Sequence, residues 1–128
     1  MTAEVLAFLD NDPQKIALFE AAEAAILAPG EAEMTVAKTQ ISWGNPLKYA
    51  FLSRPNRVTA EWPKGCLVLT FGLSRRAEEP CVLQAVEPYP GRWTHHTALT
   101  APEDVDETVR ALLREAYGFA QAKRRKHR

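Results

Sequence analysis

One eight-residue run holds the densest chemistry in the chain: Arg92-Trp93-Thr94-His95-His96-Thr97-Ala98-Leu99. Its arginine offers an oxyanion a planar fork of donors, and its histidines offer a donor or proton carrier that titrates near neutrality. The run matches no reaction motif. The sequence also lacks a G-x-S-x-G nucleophile elbow, a phosphate-binding G-x-x-x-x-G-K-[ST] loop, a G-x-G-x-x-G fingerprint and a C-x-x-C pair.

The run predicts a strand, and strand alternation sorts its residues onto two faces. Leu99 must turn toward the core and takes Thr97, His95 and Trp93 with it. Arg92, Thr94, His96 and Ala98 point the other way. His95 is then expected inside, hydrogen-bonded to a neighbouring helix or strand, because buried polar groups are almost always paired. A metal shared by His95 and His96 is not expected, since adjacent strand positions face apart and no Cys, Asp or Glu stands at chelating spacing. No catalytic residue, metal ligand or cofactor is assigned.

The same parity extends the open face to neighbouring strands. Leu67, Leu69, Phe71 and Leu73 read as core, so Cys66, Val68 and Thr70 join His96. Lys48, Ala50, Leu52 and Arg54 are expected beside them, with Lys38 or Gln40 entering from an earlier strand. The candidate ligand-binding residues are therefore Lys38, Lys48, Arg92 and His96. Arg92 would supply the fork, Lys48 or Lys38 a point charge, and His96 a donor. Three readings stay open for this basic face: an anion-accepting groove, a surface for self-association, or an ordinary wet sheet face.

A second basic feature closes the chain. Lys123, Arg124, Arg125 and Lys126, followed by His127 and Arg128, could contact a phosphate backbone. They also suit a solvated helix end, where cations complement the macrodipole. Trp43, Tyr49 and Trp62 could stack on bases, although their spacing fits core positions as well.

These residues need elements to hold them. Thr2 starts a short helix to Leu9, and Asp12-Pro13 starts a second that ends before Pro29-Gly30. Beyond Glu33 the period becomes two. Glu33 to Trp43 reads as one strand with a kink near Lys38-Thr39-Gln40, because Met34 and Val36 differ in parity from Ile41 and Trp43. Further strands follow around Leu47–Leu52, Cys66–Leu73, Cys81–Glu87 and Arg92–Leu99. Short connections, among them a hairpin around Arg76, imply antiparallel neighbours. A last helix, capped at Asp104 or Thr100, carries the stripe Val105, Val109, Leu112, Leu113, Ala116, Tyr117 and Ala120. The expected fold class is α+β: one antiparallel sheet of about five strands with N- and C-terminal helices packed on one face. Residues 1–122 read as a single domain and 123–128 as a basic tail.

The 128 residues balance 16 basic against 16 acidic side chains, but unevenly. Residues 1–37 hold one lysine against seven acids, and residues 38–92 hold eight basic residues against four acids. Two cysteines are too few for a disulfide scaffold, and both are expected reduced. No secretory signal or apolar run of membrane length is seen, so the cytoplasm is the expected compartment.

Several pieces together resemble a known family: Lys38-Thr39-Gln40-Ile41-Ser42-Trp43, the strand Leu67-Val68-Leu69-Thr70-Phe71, the block Gly91-Arg92-Trp93-Thr94-His95-His96, and Asp106 followed by Val109, Leu112 and Ala116-Tyr117. In order and spacing they are similar to the bacterial domain of unknown function 5655, over about residues 14 to 120. The resemblance implies that Lys38, Arg92, His95 and His96 belong to the family pattern. It implies no activity.

The expected function is a non-enzymatic binding module for an anionic small molecule or an acidic partner, acting as monomer or homodimer. The alternatives are weak nucleic-acid binding through the tail and the basic face, and a small enzyme using His96 as acid or base.

Overall fold

The structure is a computed structural model that describes residues 1–55 and 57–126, the last three as helix backbone only. The elements run α1 (Ala3–Phe8), α2 (Pro13–Leu27), β1 (Glu33–Val36), β2 (Gln40–Gly44), β3 (Lys48–Ser53), β4 (Leu67–Leu73), β5 (Gln84–Tyr89), β6 (Arg92–Leu99), a 3-10 turn over Pro102–Asp104, and α3 (Glu107–Lys126). Each helix starts on a side-chain acceptor that satisfies an otherwise orphaned N–H. Val5 N donates to Thr2 Oγ1, Gln14 N to Asp12 Oδ1 and Val109 N to Asp106 Oδ1. The last helix was expected to be capped at Asp104 or Thr100. Asp104 instead accepts from the N–H groups of Thr100 and Ala101 and from the Thr100 hydroxyl, which builds the 3-10 turn and leaves Asp106 to cap α3.

All strand pairs are antiparallel, in the order β1-β2-β3-β4-β6-β5. The fold is α+β as expected, with six strands rather than about five. The extra strand explains the parity switch after Val36. Glu33 to Trp43 is a hairpin, not one kinked strand: Val36 pairs with Ile41 and Met34 with Trp43, so each pair shares a face.

The connection after β4 also differs from expectation. The segment around Arg76 is not a tight hairpin, and β6 lies between β4 and β5. The reason lies in the inward polar residues of β6. His95 Nε2 accepts the Ala77 N–H at 2.9 Å, and the Thr97 hydroxyl donates to the Cys81 carbonyl. The 74–83 loop is thus tied to β6 before β5 reaches the sheet edge. Arg75 fastens the same loop to α3 through Glu115 at 2.9 Å. His95 was expected to bond a helix or strand group; its Nε2 is paired instead with a loop N–H, and its buried Nδ1 has no partner among the described residues.

The core lies between the sheet and the helices. Ile41, Trp43, Leu52, Leu69, Phe71 and Leu99 are fully buried with Phe19 and Ile26 of α2 and Leu113 of α3. Each such aromatic or aliphatic side chain contributes roughly 1.5–3 kcal/mol through burial. The β2–β3 register shifts beyond Trp43, which pairs with Ala50 while Gly44 pairs with Lys48. Tyr49 is the extra residue of this bulge. It and Ala50 are both buried, and the Tyr49 hydroxyl donates to the Ile26 carbonyl at 2.7 Å.

The bulge and the register overturn one expectation about the open face. Ala50 pairs with Phe71 and Leu52 with Leu69, so both belong to the core. Phe51 and Ser53 face outward instead, opposite Thr70 and Val68. Cys66, also placed on the open face, is buried. Both cysteines are free.

Candidate functional site

The open face of the sheet is partly roofed. Between β3 and β4 the chain leaves the sheet, and described residues of this connection, from Arg54 to Trp62, line a cleft together with outward residues of the sheet; this connection is called the roof. A local turn shapes this segment: Thr59 N donates to the Trp62 carbonyl, and Trp62 N donates to Thr59 Oγ1. Beneath and beside it lies a cleft of about 790 Å³. Phe51, Val68, Thr70, His96 and Gln84 line it from β3, β4, β6 and β5, Thr39 from the β1–β2 turn, Gln40 from the start of β2, and Arg54, Arg57, Glu61 and Trp62 from the roof. A volume of this size suits a small organic molecule.

His96 sits centrally because β6 is flanked on both sides, pairing with Thr70 of β4 and Gln84 of β5. Its Nδ1 lies 2.8 Å from Thr70 Oγ1. Burial holds the imidazole below its ordinary pKa, so the ring is neutral at physiological pH. One ring nitrogen is engaged by the threonine, leaving Nε2 for a ligand. The roof adds two guanidinium groups. Arg54 is held at the rim, 3.8 Å from Asp10 and with its guanidinium 5.1 Å from the centre of the Phe8 ring. Arg57 is exposed.

The four sequence-derived ligand residues do not converge. His96 lines the roofed cleft. Lys38 lies by α1, lining a groove with Glu4, Phe8 and Arg54. Lys48 and Arg92 line a third cleft of about 360 Å³ at the end of the sheet where β3 and β6 begin and β4 and β5 end. The bulge at Tyr49 and the four-residue spacing between Arg92 and His96 separate these groups. The sheet-end cleft gains Lys123 and Phe119 from α3, together with Tyr89. Lys123 Nζ is 2.7 Å from the Tyr89 hydroxyl, which accepts from it. That bond comes first in lowering the Tyr89 pKa, and Arg92 adds to it.

The basic tail divides. Lys123 belongs to the sheet-end cleft. Arg124, Arg125 and Lys126 continue the backbone of α3, and their side chains lie outside the described residues, as do His127 and Arg128. Of the possible base-stacking aromatics, Trp43 and Tyr49 are core and Trp62 lines the roofed cleft. Arg57, Gln84 and Phe51 were missed in the sequence. Phe51 was hidden by the bulge, Gln84 by the β6 insertion, and Arg57 by an irregular segment with no period to read.

Among the described residues no three His, Cys, Asp or Glu side chains cluster as metal ligands, and no helix is long and apolar enough to cross a membrane. Neither a search of curated proteins nor one of solved structures found a match. A family model does match, covering residues 7–120, which include all six strands, the residues that line the roofed cleft and α3 as far as Ala120, but not Lys123 of the sheet-end cleft. The chain accordingly belongs to the family described as Domain of unknown function (DUF5655).

Proposed function

We propose that this domain is a binding module for a small organic anion with a planar apolar body, and that the roofed cleft is its site. The observation that carries the reading is the position of His96. It is a neutral, half-buried imidazole fixed by Thr70 on the floor of a 790 Å³ cleft that Trp62 and Arg57 wall from above. Phe51, Trp62 and Val68 offer apolar contact to the body, and Arg57 offers its fork to the charge. His96 Nε2 and Gln84 supply directional hydrogen bonds. The hydrogen-bond partner of His96 is a hydroxyl that does not titrate near neutrality, which favours recognition over acid–base work.

Thermal unfolding of the full chain against a panel of aromatic and heteroaromatic carboxylates and phosphates tests this. A true ligand at a hundredfold excess over its Kd should raise Tm on the order of 10 °C. His96→Ala and Arg57→Ala should each reduce that shift. A panel that moves Tm nowhere, or a shift that survives in both variants, would overturn the reading.

A further inference from the structure

We propose that the sheet-end cleft is a second site, separate from the roofed one, which binds a phosphomonoester dianion carried on a small molecule. Three cations from three elements line it: Lys48 from the start of β3, Arg92 from the start of β6 and Lys123 from α3. Among the described residues none of the three is within ion-pair distance of a carboxylate, which is equally true of Lys38, Arg57, Lys64 and Arg76. What sets this group apart is that its three cations line one cleft.

Two of the cations flank the Tyr89 phenol: Lys123 donates to its hydroxyl, and Arg92 is its paired neighbour across β5 and β6. Like charges held close together repel, and an anion placed among them relieves that repulsion. Lys123 has three donors, so the tyrosine leaves it capacity for a ligand. Arg92 is also seated. Its Nη2 lies 2.9 Å from where a Cβ on Gly72 would stand, so the guanidinium lies close over bare backbone.

The shape selects the ligand class. The cleft is small, about 360 Å³, and its walls include Leu47 and Phe119. It can hold a compact molecule with an apolar portion beside its charge. Three cations balance a doubly charged phosphomonoester better than a singly charged phosphodiester link.

The test is calorimetric titration of the full chain at low salt with inorganic phosphate and phenyl phosphate. Both should bind saturably, the second more tightly because of the apolar wall. Arg92→Gln and Lys48→Gln should each weaken binding about tenfold or more, the usual range for a charged hydrogen bond. Phosphate should also raise the pH at which Tyr89 ionises, read by near-ultraviolet absorbance, because it draws Lys123 away from the phenol and brings negative charge beside it. Deleting residues 124–128 should leave phosphate affinity in place, and so should His96→Ala, which separates this site from the roofed cleft. If Arg92→Gln does not fold, Lys48→Gln carries the comparison. Absence of saturable binding, or equal affinity in the folded variants, would overturn the proposal. So would a single-stranded oligonucleotide that outcompetes phenyl phosphate and loses its binding when residues 124–128 are deleted, since the surface would then serve nucleic acid.

Discussion

Thr70 Oγ1 and His96 Nδ1 lie 2.8 Å apart on directly paired positions of β4 and β6. The bond costs no long-range reach, because paired antiparallel residues already have neighbouring side chains. It fixes the plane of the imidazole and commits one nitrogen, so the other faces the cleft with a defined role. The pair turns a half-buried histidine from a loose rotor into an oriented side chain lining the cleft.

Thr70→Val keeps the side-chain shape and removes the hydroxyl. Stability should change by about 1 kcal/mol or less. Ligand affinity at the roofed cleft should nevertheless fall severalfold, because His96 loses its orientation. Nitrogen chemical shifts of the His96 ring separate the two effects. They should show one dominant tautomer in the parent and a mixture in the variant. An unchanged tautomer ratio would contradict the positioning role of Thr70.

Acid should destabilise the fold before Asp10, Glu79, Asp104 and Glu107 titrate, although burial raises the pKa of Glu23, whose earlier protonation opposes the loss. Burial is the first cause holding both His95 and His96 below the ordinary imidazole value. More than about one pH unit above the ordinary imidazole pKa of about 6.5 these groups are neutral in both folded and unfolded chains and contribute no pH dependence. Below that range the unfolded chain takes up protons that the folded one resists, so unfolding is favoured as pH falls. Asp10, Glu79, Asp104 and Glu107 have lowered pKa values, and their contributions are lost only in the more acidic carboxylate range. Urea midpoints should therefore drop between about pH 7 and about pH 5. The drop should shrink in His96→Asn. A flat profile across that window would show that the buried rings carry no such linkage.

The sequence made the inward and outward halves of β6 legible, because Leu99 fixes the parity and His95 and His96 must then part. It made the cap at Asp12 and the stripe of α3 legible for similarly local reasons. It could not show that Phe51, rather than Leu52, faces outward. That inversion depends on one extra residue at Tyr49, whose hydroxyl is drawn to the end of α2, a contact 23 residues away in sequence. Nor could it bring Lys123 to Arg92, because that requires knowing that β6 inserts beside β4 and that α3 ends over the same edge. Local pattern showed which residues could act, and long-range pairing decided which of them act together.

Two glycines should respond unequally to the same small change. A Cβ at Gly44 would stand 2.8 Å from the backbone of both Lys48 and Pro46, so Gly44→Ala must move the main chain at the β2–β3 bulge. A loss of roughly 1–3 kcal/mol is expected. At Gly72 the near atoms are the end of the Arg92 side chain, which can swing away. Gly72→Ala should cost less than about 1 kcal/mol while displacing the guanidinium and weakening phosphate binding at the sheet end. Chemical denaturation of both variants, with phosphate titration of the second, measures the contrast. Equal destabilisation would mean that Arg92 is locked in place, not merely seated.

Trp62 gives the sharpest separation between recognition and architecture. It lies in the roof and is only partly buried, and its backbone, not its ring, makes the hydrogen bonds that shape the turn with Thr59. Trp62→Ala should therefore leave the turn intact and change global stability by less than about 1 kcal/mol. The ring is also the largest apolar surface that the roof presents to the cleft. Removing it should lower affinity for an aromatic anion by roughly tenfold, as for other aromatic anchors in a concave site. Arg57→Ala should weaken binding of the same ligand in a salt-sensitive way, because it removes charge rather than contact area. Calorimetry at two salt concentrations distinguishes the two losses. If Trp62→Ala lowers Tm as much as a core truncation and leaves affinity unchanged, the tryptophan serves to hold the loop on the sheet, and the roof of this cleft is structural.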